Sequence, residues 1–292
     1  MRFGIHSNNT RDKGYKTAIS LSGMILDRNC TPVFEKELKD NSALSAVDGI
    51  EFDDFENVDI IVSIGGDGTF LSVISYYRHL NKPFVGVNKG SIGFLTEISE
   101  YNIEAAFDRI VAGDYKIMER MQLKAELYDR YKKLKAEDVC LNDISVLRGA
   151  QPHITKLTLF INNERVEKFY GDGIVVAAPT GSTAYTLAAG GPLVMPNMDV
   201  ILITPLCPHS LQTMSYVIPS DSVVEIQLGE FETVPLVCPD GRLFPNIEQG
   251  DVLKIRRYDH TVHTINLGLT GFFQNVKRKI VARGSFYEDG KE

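Results

Sequence analysis

No apolar run in the 292-residue chain approaches the roughly 20 residues that a bilayer-spanning helix needs, so no membrane partner is expected. Cysteine is sparse: Cys30, Cys140, Cys207 and Cys238 are scattered without CxxC or CxxH spacing, and read as reduced thiols of a cytoplasmic protein. The first residues, MRFGIHSNN, lack the basic-then-apolar layout of a secretory leader. Positive charge is also short. A net charge of -7 disfavours a nucleic-acid partner, although the basic spots KIRRY (254–258) and KRK (277–279) suit a small anion. There is no internal repeat, low-complexity tract or long linker.

What is present is a globular composition, 43% hydrophobic and 24% charged, long enough for two domains that need no disulfide. The first hundred residues alternate between strand and helix periods. MRFGIH reads as a strand, and Tyr15, Ala18, Ile19, Ser22, Ile25 and Leu26 fall at helical spacing before TPVFEKEL turns extended. VDIIVSI is too continuously apolar for a half-exposed strand and is expected to be buried on both faces of a parallel sheet. Residues 69–80 put Phe70, Ile74 and Tyr77 on one helical face, KPFVGVN is a further strand, and Ile103, Phe107, Ile110 and Val111 make a helix that Gly113 ends. This predicts a doubly wound α/β domain. From about residue 115 the period tightens to two, in MQLKAELY, EDVCLNDISVLRG, ITKLTLFINNERVEKF, GIVVAAP, DVILITPL, SVVEIQLG, DVLKIRRY and HTVHTINL, which predicts a mainly β second domain.

Two stretches carry chemistry. In VDIIVSIGGDGTFLSVIS (58–75) a strand passes into a helix through Gly65, Gly66, Asp67, Gly68 and Thr69. Glycines there are expected to allow positive φ and close backbone approach, and the first N–H groups of the helix point outward, a setting for phosphate. The loop is neither a P-loop, lacking GKS or GKT, nor a GxGxxG turn. A carboxylate beside phosphates is repelled by them, so Asp67 either has a chemical role or caps the helix. Phosphoryl transfer to a hydroxyl would use it as a proton acceptor that acts late, because an ordinary Asp, with pKa about 3.9, is a weak base toward an alcohol. The second stretch, GDGIVVAAPTGSTAYTLAAGGPLV (171–194), crowds hydroxyls and small residues around a turn, with the ring of Tyr185 available to a base; alone it reads as well as a loop.

Taken together, GGDGT at 65–69, LNDIS around Asn142-Asp143, DGIVVAAPTGSTAYTLAAGGP from Asp172 and TPLCPHSL from Thr204 resemble the NAD kinases, and PFVGVNKGSIGFLTE (83–97) is similar to that family's connecting segment. GGDGT is shared with diacylglycerol and sphingosine kinases; the GSTAY block is the more specific. The resemblance implies transfer of the terminal phosphate of ATP, or polyphosphate, to the 2'-hydroxyl of the adenosine ribose of NAD, giving NADP, with a divalent metal, usually Mg²⁺, and no metal site built from protein side chains. It implies an N-terminal α/β domain (1–114, with the tail 268–292 returning to it), a β-rich NAD-binding domain (115–267), a pocket between them, and a homodimer or homotetramer. By the same resemblance Asp67 is the proton acceptor, and Gly65, Gly66, Gly68 and Thr69 shape the phosphate side. Asn142 and Asp143 hold the adenosine ribose, Asp172 the nicotinamide end, and Thr183, Ala184 and Tyr185 the bases. His153 matches a position near the dinucleotide.

Three departures bear on affinity and donor choice. Asp143 stands where the family carries glutamate, Ala188 replaces a serine, and Arg242 stands where glutamine is common. Asn142 and Asp143 also read as a simple turn between strands, but they sit inside an apolar-alternating stretch, where burying two polar side chains requires partners that a ligand can supply. Asp240-Gly241 reads as a hairpin turn, and His209 and Ser210 as loop residues. A lipid kinase on the same glycine loop, and a dinucleotide-binding sensor without turnover, are the competing functions.

Overall fold

The computed structural model describes residues 1–90, 93–151, 153–210 and 213–284. Ser91 and Ile92 of the 83–97 segment, Leu211 of TPLCPHSL and the tail residues 285–292 lie outside them. The chain forms two compact units, one of Met1–Glu119 with the segment from Val262 onward, the other of Arg120–Thr261.

The first unit contains β1 (Arg2–Ser7), β2 (Thr31–Phe34), β3 (Glu51–Phe52), β4 (Ile60–Gly65), β5 (Phe84–Asn88), β6 (Ile98–Ser99) and β7 (Lys116–Arg120), joined by the late strand β19 (Val262–Asn266). Their order is β3-β2-β1-β4-β5-β19-β7, with β6 beside β5. The pairs of β1 with β2 and β4, and of β4 with β5, are parallel. Every residue of β4 is buried, as its unbroken apolar run predicts for a strand covered on both faces. On one face Phe3, Ile5, Ile60, Val62 and Ile64 pack with Ala18, Leu21 and Ile25 of α1 (Lys16–Leu26) and Phe107 and Ile110 of α3 (Ile103–Val111). Helix α2 (Asp67–Tyr77) follows β4 directly and buries Phe70, Val73 and Ile74. The period-two stretch HTVHTINL was expected in the β-rich region; as β19 it instead pairs in parallel with β5, through Thr264 and Phe84. A strand's alternation shows that one face is buried and not which sheet buries it.

The second unit holds two antiparallel sheets. One runs β15 (Tyr216–Pro219), β14 (Val200–Leu206), β13 (Gly173–Ala177), β10 (Asp143–Leu147), β17 (Leu236–Pro239). The other runs β12 (Glu164–Gly171), β11 (Thr155–Ile161), β16 (Val224–Leu228), β18 (Val252–Arg257), β8 (Leu123–Tyr128), β9 (Leu134–Cys140). Leu123, Leu127, Ile144, Val146, Leu157, Leu159, Ile174, Val176, Ile201, Ile226 and Ile255 from both sheets form one core, the arrangement of a sandwich. The stretch EDVCLNDISVLRG reads as one alternation but is two strands: the chain leaves one sheet after Cys140 and enters the other at Asp143. The polar pair Asn142-Asp143 sits at that crossing. A short helix, α4 (Tyr185–Ala188), follows a buried 3-10 turn over Pro179–Thr183. The last helix, α5 (Phe272–Gly284), returns to the first unit, where Asn275 Nδ2 donates to Gly93 O at 3.3 Å.

Candidate functional site

The carboxyl end of β4 opens onto a cavity of about 440 Å³ lined by the glycine loop, Asn8, Arg11, Asn88, Lys89, Gly93 and Lys279. Phe70 N–H, bonded to Gly66 O at 3.0 Å, is the first to reach an acceptor within α2, so the N–H groups of Asp67, Gly68 and Thr69 carry the positive end of the helix. The glycines act differently from the expectation of positive φ. Gly66 has φ -117°, and Gly65 and Gly68 are not among the described glycines with positive φ. Gly65 is required for close approach, since a Cβ there would stand 2.4 Å from Thr69 Oγ1. Nothing lies within 4 Å of a Cβ built on Gly66 or Gly68, which leaves that side of the loop open to a ligand.

Asp67 does not cap its own helix: the N-cap is Gly66, without a side-chain cap. The carboxylate instead reaches the 93–96 segment. Oδ2 accepts from Phe94 N–H at 2.8 Å and from Lys279 Nζ at 2.9 Å, and Oδ1 from Leu95 N–H at 3.0 Å. Burial by itself would raise the Asp67 pKa, but the Lys279 charge and these hydrogen bonds outweigh it and hold the group below the ordinary carboxylate value. Lys279 also lies over the Phe94 ring, 3.9 Å from its centroid. Lys89, on the same cavity wall, is tied to Glu100, to Thr17 Oγ1 at 2.7 Å and to Asp12 at 3.8 Å.

In the second unit, Asp240 is the organising group of a second constellation. It sits in a left-handed conformation (φ 43°) after β17, and its carboxylate accepts the N–H groups of Leu141, Asn142 and Asp143 at 2.8, 2.9 and 3.2 Å. This holds the chain where it crosses between sheets, and Ala178 N–H fixes it further on Asn142 O at 2.9 Å. Asp143 is 8% exposed, and burial, followed by the charge of Asp240, pushes its pKa up to about 7. Asp240 is also raised, because burial outweighs its three backbone hydrogen bonds. The side-chain oxygen of Asn142 is buried with no protein partner, a polar atom left for a ligand to satisfy.

Both halves of the chain match family models, the ATP-NAD kinase N-terminal domain over residues 3–115 and the ATP-NAD kinase C-terminal domain over 141–267. An NAD kinase of Ruminiclostridium cellulolyticum is 36% identical over 286 residues, covering 97% of this chain and 98% of its own. The chain belongs to the NAD kinase family. Among solved structures, yeast NADH kinase complexed with NADH is similar with a TM-score of 0.85 at 22% identity, over 96% of this chain and 87% of that one. An Archaeoglobus fulgidus NAD kinase in complex with ATP is similar with a TM-score of 0.74, also at 22% identity, over 95% and 99% of the respective chains. Both share the fold.

The residues that the NAD kinase resemblance singles out fall into groups. Gly65, Gly66, Asp67, Gly68 and Thr69 are contiguous at the cavity in the first unit, where Asn8 Nδ2 donates to Thr69 Oγ1 at 3.0 Å. In the second, Asn142 and Asp143 precede and open β10, while Thr183 is buried, with its hydroxyl on Thr180 O at 3.3 Å. Ala184 and Tyr185 start α4, and the Tyr185 ring is 42% exposed. Ala188 ends α4, exposed. Asp172 pairs with Arg148 at 3.3 Å. His153 lies elsewhere, on a surface groove, with contacts to Thr233 at 3.1 Å and Glu232 at 3.5 Å. Arg242 is bound to Asp138 at 2.7 Å and to Val139 O at 3.0 Å, on β9, and its charge also acts on Asp240, opposing the rise of that pKa. Sequence reasoning missed Asp240, whose turn it recognised without the hydrogen bonds, and Lys279, which it had only as part of a basic spot. Among the described residues no helix is long and apolar enough to cross a membrane.

Proposed function

We propose that the chain is an NAD kinase that moves the terminal phosphate of ATP, or of polyphosphate, to the 2'-hydroxyl of the adenosine ribose of NAD. The observation that carries the reading is the placement of the Asp67 carboxylate at the mouth of the α2 N-terminus, in a cavity whose other charged groups, Arg11, Lys89 and Lys279, are all cations. The cations and the first N–H groups of α2 suit the donor's phosphates, and Asp67 supplies the one acceptor for a proton. The ribose oxygen forms a bond to phosphorus, the bond from phosphorus to the bridging oxygen breaks, and the shortened donor leaves with that electron pair. The hydroxyl proton passes to Asp67 once the oxygen has begun to bond and become acidic, which matches a base of depressed pKa.

On the acceptor side, Asn142 and Asp143 hold the ribose, where a carboxyl near its midpoint at neutral pH both donates and accepts toward hydroxyls. Tyr185 stacks on a base, with Thr183 and Ala184 beside it, and Asp172 faces the nicotinamide end. A divalent metal, Mg²⁺, belongs to this reading. Among the described residues no three His, Cys, Asp or Glu side chains converge, and Asp67 is the one carboxylate of the cavity. That donor set fits an ion carried by the donor's phosphates and water. When bound it neutralises charge on the migrating group. A cytoplasmic homodimer or homotetramer completes the reading, and light scattering measures the assembly. Purified protein with NAD, ATP or polyphosphate and Mg²⁺ should yield NADP. Asp67→Asn should lower kcat about 10²- to 10⁴-fold with NAD binding retained; an active variant removes Asp67 from the chemistry.

A further inference from the structure

A carboxylate offers about four lone-pair sites; three of those on Asp67 carry hydrogen bonds within 3.0 Å, and the fourth, on Oδ1, faces the Thr96 hydroxyl at 3.5 Å. Two come from the Phe94 and Leu95 N–H groups, which are fixed by the backbone. The third comes from Lys279, at the end of a four-carbon stem. If Asp67 is to take a proton, the lone pair most readily released is the one Lys279 holds. Lys279 also lines the cavity with Gly66, Gly68 and Thr69, where the helix N-terminus favours phosphate. An ammonium has three donors and is strongly drawn to a polyphosphate, so a phosphate entering this cavity competes with Asp67 for it. The Asn275 contact to Gly93 O ties α5 beside the cavity, and the ammonium rests over the Phe94 ring at the end of a flexible stem. Lys89, on the same wall, is held by Glu100, Thr17 and Asp12, none of which is Asp67.

We propose that Lys279 exchanges between two anions, the Asp67 carboxylate and the terminal phosphate of the donor, and that its move to the phosphate frees the Oδ2 lone pair that accepts the hydroxyl proton. Lys279 is then a donor ligand supplied by the last helix, and donor binding switches on the proton acceptor. The inference rests on the kinase reading for its second half. Its first half, a lysine that leaves Asp67 for polyphosphate, stands independently of turnover.

The test compares Lys279→Met with Lys279→Arg and with Lys277→Met, which removes the same charge from an exposed position of the same helix. With ATP, NAD and Mg²⁺, Lys279→Met should raise the donor KM and lower kcat, each about tenfold or more, with the NAD KM within about twofold. Its acid limb in kcat/KM, which reports the free enzyme where Lys279 sits on Asp67, should move to higher pH, because Asp67 keeps the Phe94 and Leu95 N–H groups but loses its bound cation. Lys279→Arg should recover most of the donor KM, and Lys277→Met should match the unsubstituted protein. Kinetics of Lys279→Met indistinguishable from Lys277→Met overturn the proposal. A second measurement needs no destabilising variant. In unsubstituted protein with reductively ¹³C-methylated lysines, the Lys279 signal, assigned by its loss in Lys279→Arg, should shift on titration with inorganic tripolyphosphate. An unmoved signal overturns the exchange even if NADP is made. If the unsubstituted protein makes no NADP, the kinase reading fails, and the tripolyphosphate shift alone still decides whether Lys279 leaves Asp67.

Discussion

Replacing Asp143 by asparagine should make the protein more stable at neutral pH than at acid pH relative to the unsubstituted chain. Asp143 has an ordinary value of 3.8 when unfolded and about 7 when folded, raised by burial and then by Asp240. A raised folded pKa means that the native state binds the proton more tightly. The stabilising effect is therefore complete below 3.8 and is lost as pH rises through about 7. The loss runs at about 1.4 kcal/mol per pH unit between those limits. From pH 5 to pH 7 the penalty of ionising Asp143 grows by roughly 2–3 kcal/mol, approaching about 4 kcal/mol in total above pH 8. Asparagine fills nearly the same volume and stays neutral throughout. Urea unfolding of both proteins between pH 5 and 8.5 should show a stability difference that climbs with pH and levels off above pH 8. The ¹³C resonance of the Asp143 carboxyl, assigned by its loss in the variant, should titrate near pH 7. A pH-independent difference, or a carboxyl that titrates near 4, refutes the reasoning and means that a cation compensates the buried charge.

Two further outcomes test the loops. Gly93→Ala places a Cβ 1.9 Å from Thr96 Oγ1 and 2.3 Å from Asp67 Oδ1, so kcat should fall at least about tenfold; because the second clash remains, adding Thr96→Ala should not restore it, and full recovery in the double variant would show that Asp67 tolerates the intrusion. Tyr185→Ala should raise the NAD KM about tenfold through lost stacking, while Tyr185→Phe stays within about twofold, and equal effects of the two would mean that the hydroxyl, not the ring, matters.

Local pattern carried much of the fold because local physics decides it. The unbroken apolar run of β4 and the helical spacing in α1 and α3 each follow from a few neighbouring residues. The two-residue strands β3 and β6 escaped because pairing, not pattern, defines them. The strand break at Asn142 was visible only as one alternative, because what holds it is the carboxylate of Asp240, 98 positions away. The glycine loop was legible as a phosphate site from strand, glycines and helix start. The anchoring of its aspartate was not. Phe94 and Leu95 contribute only backbone N–H groups, which every sequence possesses, and Lys279 looks like any lysine on a solvated helix face. Arg242 was legible as a charge, but not its partners, Asp138 on β9 and the field it exerts on Asp240.

The first sheet is interrupted in the chain by the whole of Arg120–Thr261 and takes in β19 only afterwards. On a ribosome, therefore, β5 emerges early yet waits for a strand that leaves the tunnel about 180 residues later, by which time the inserted sandwich has been synthesised entire. The nascent protein passes through a stage in which its glycine loop has been made but the helix bearing Lys279 has not. Synthesis itself imposes an order of maturation, with the phosphate-handling half finished last.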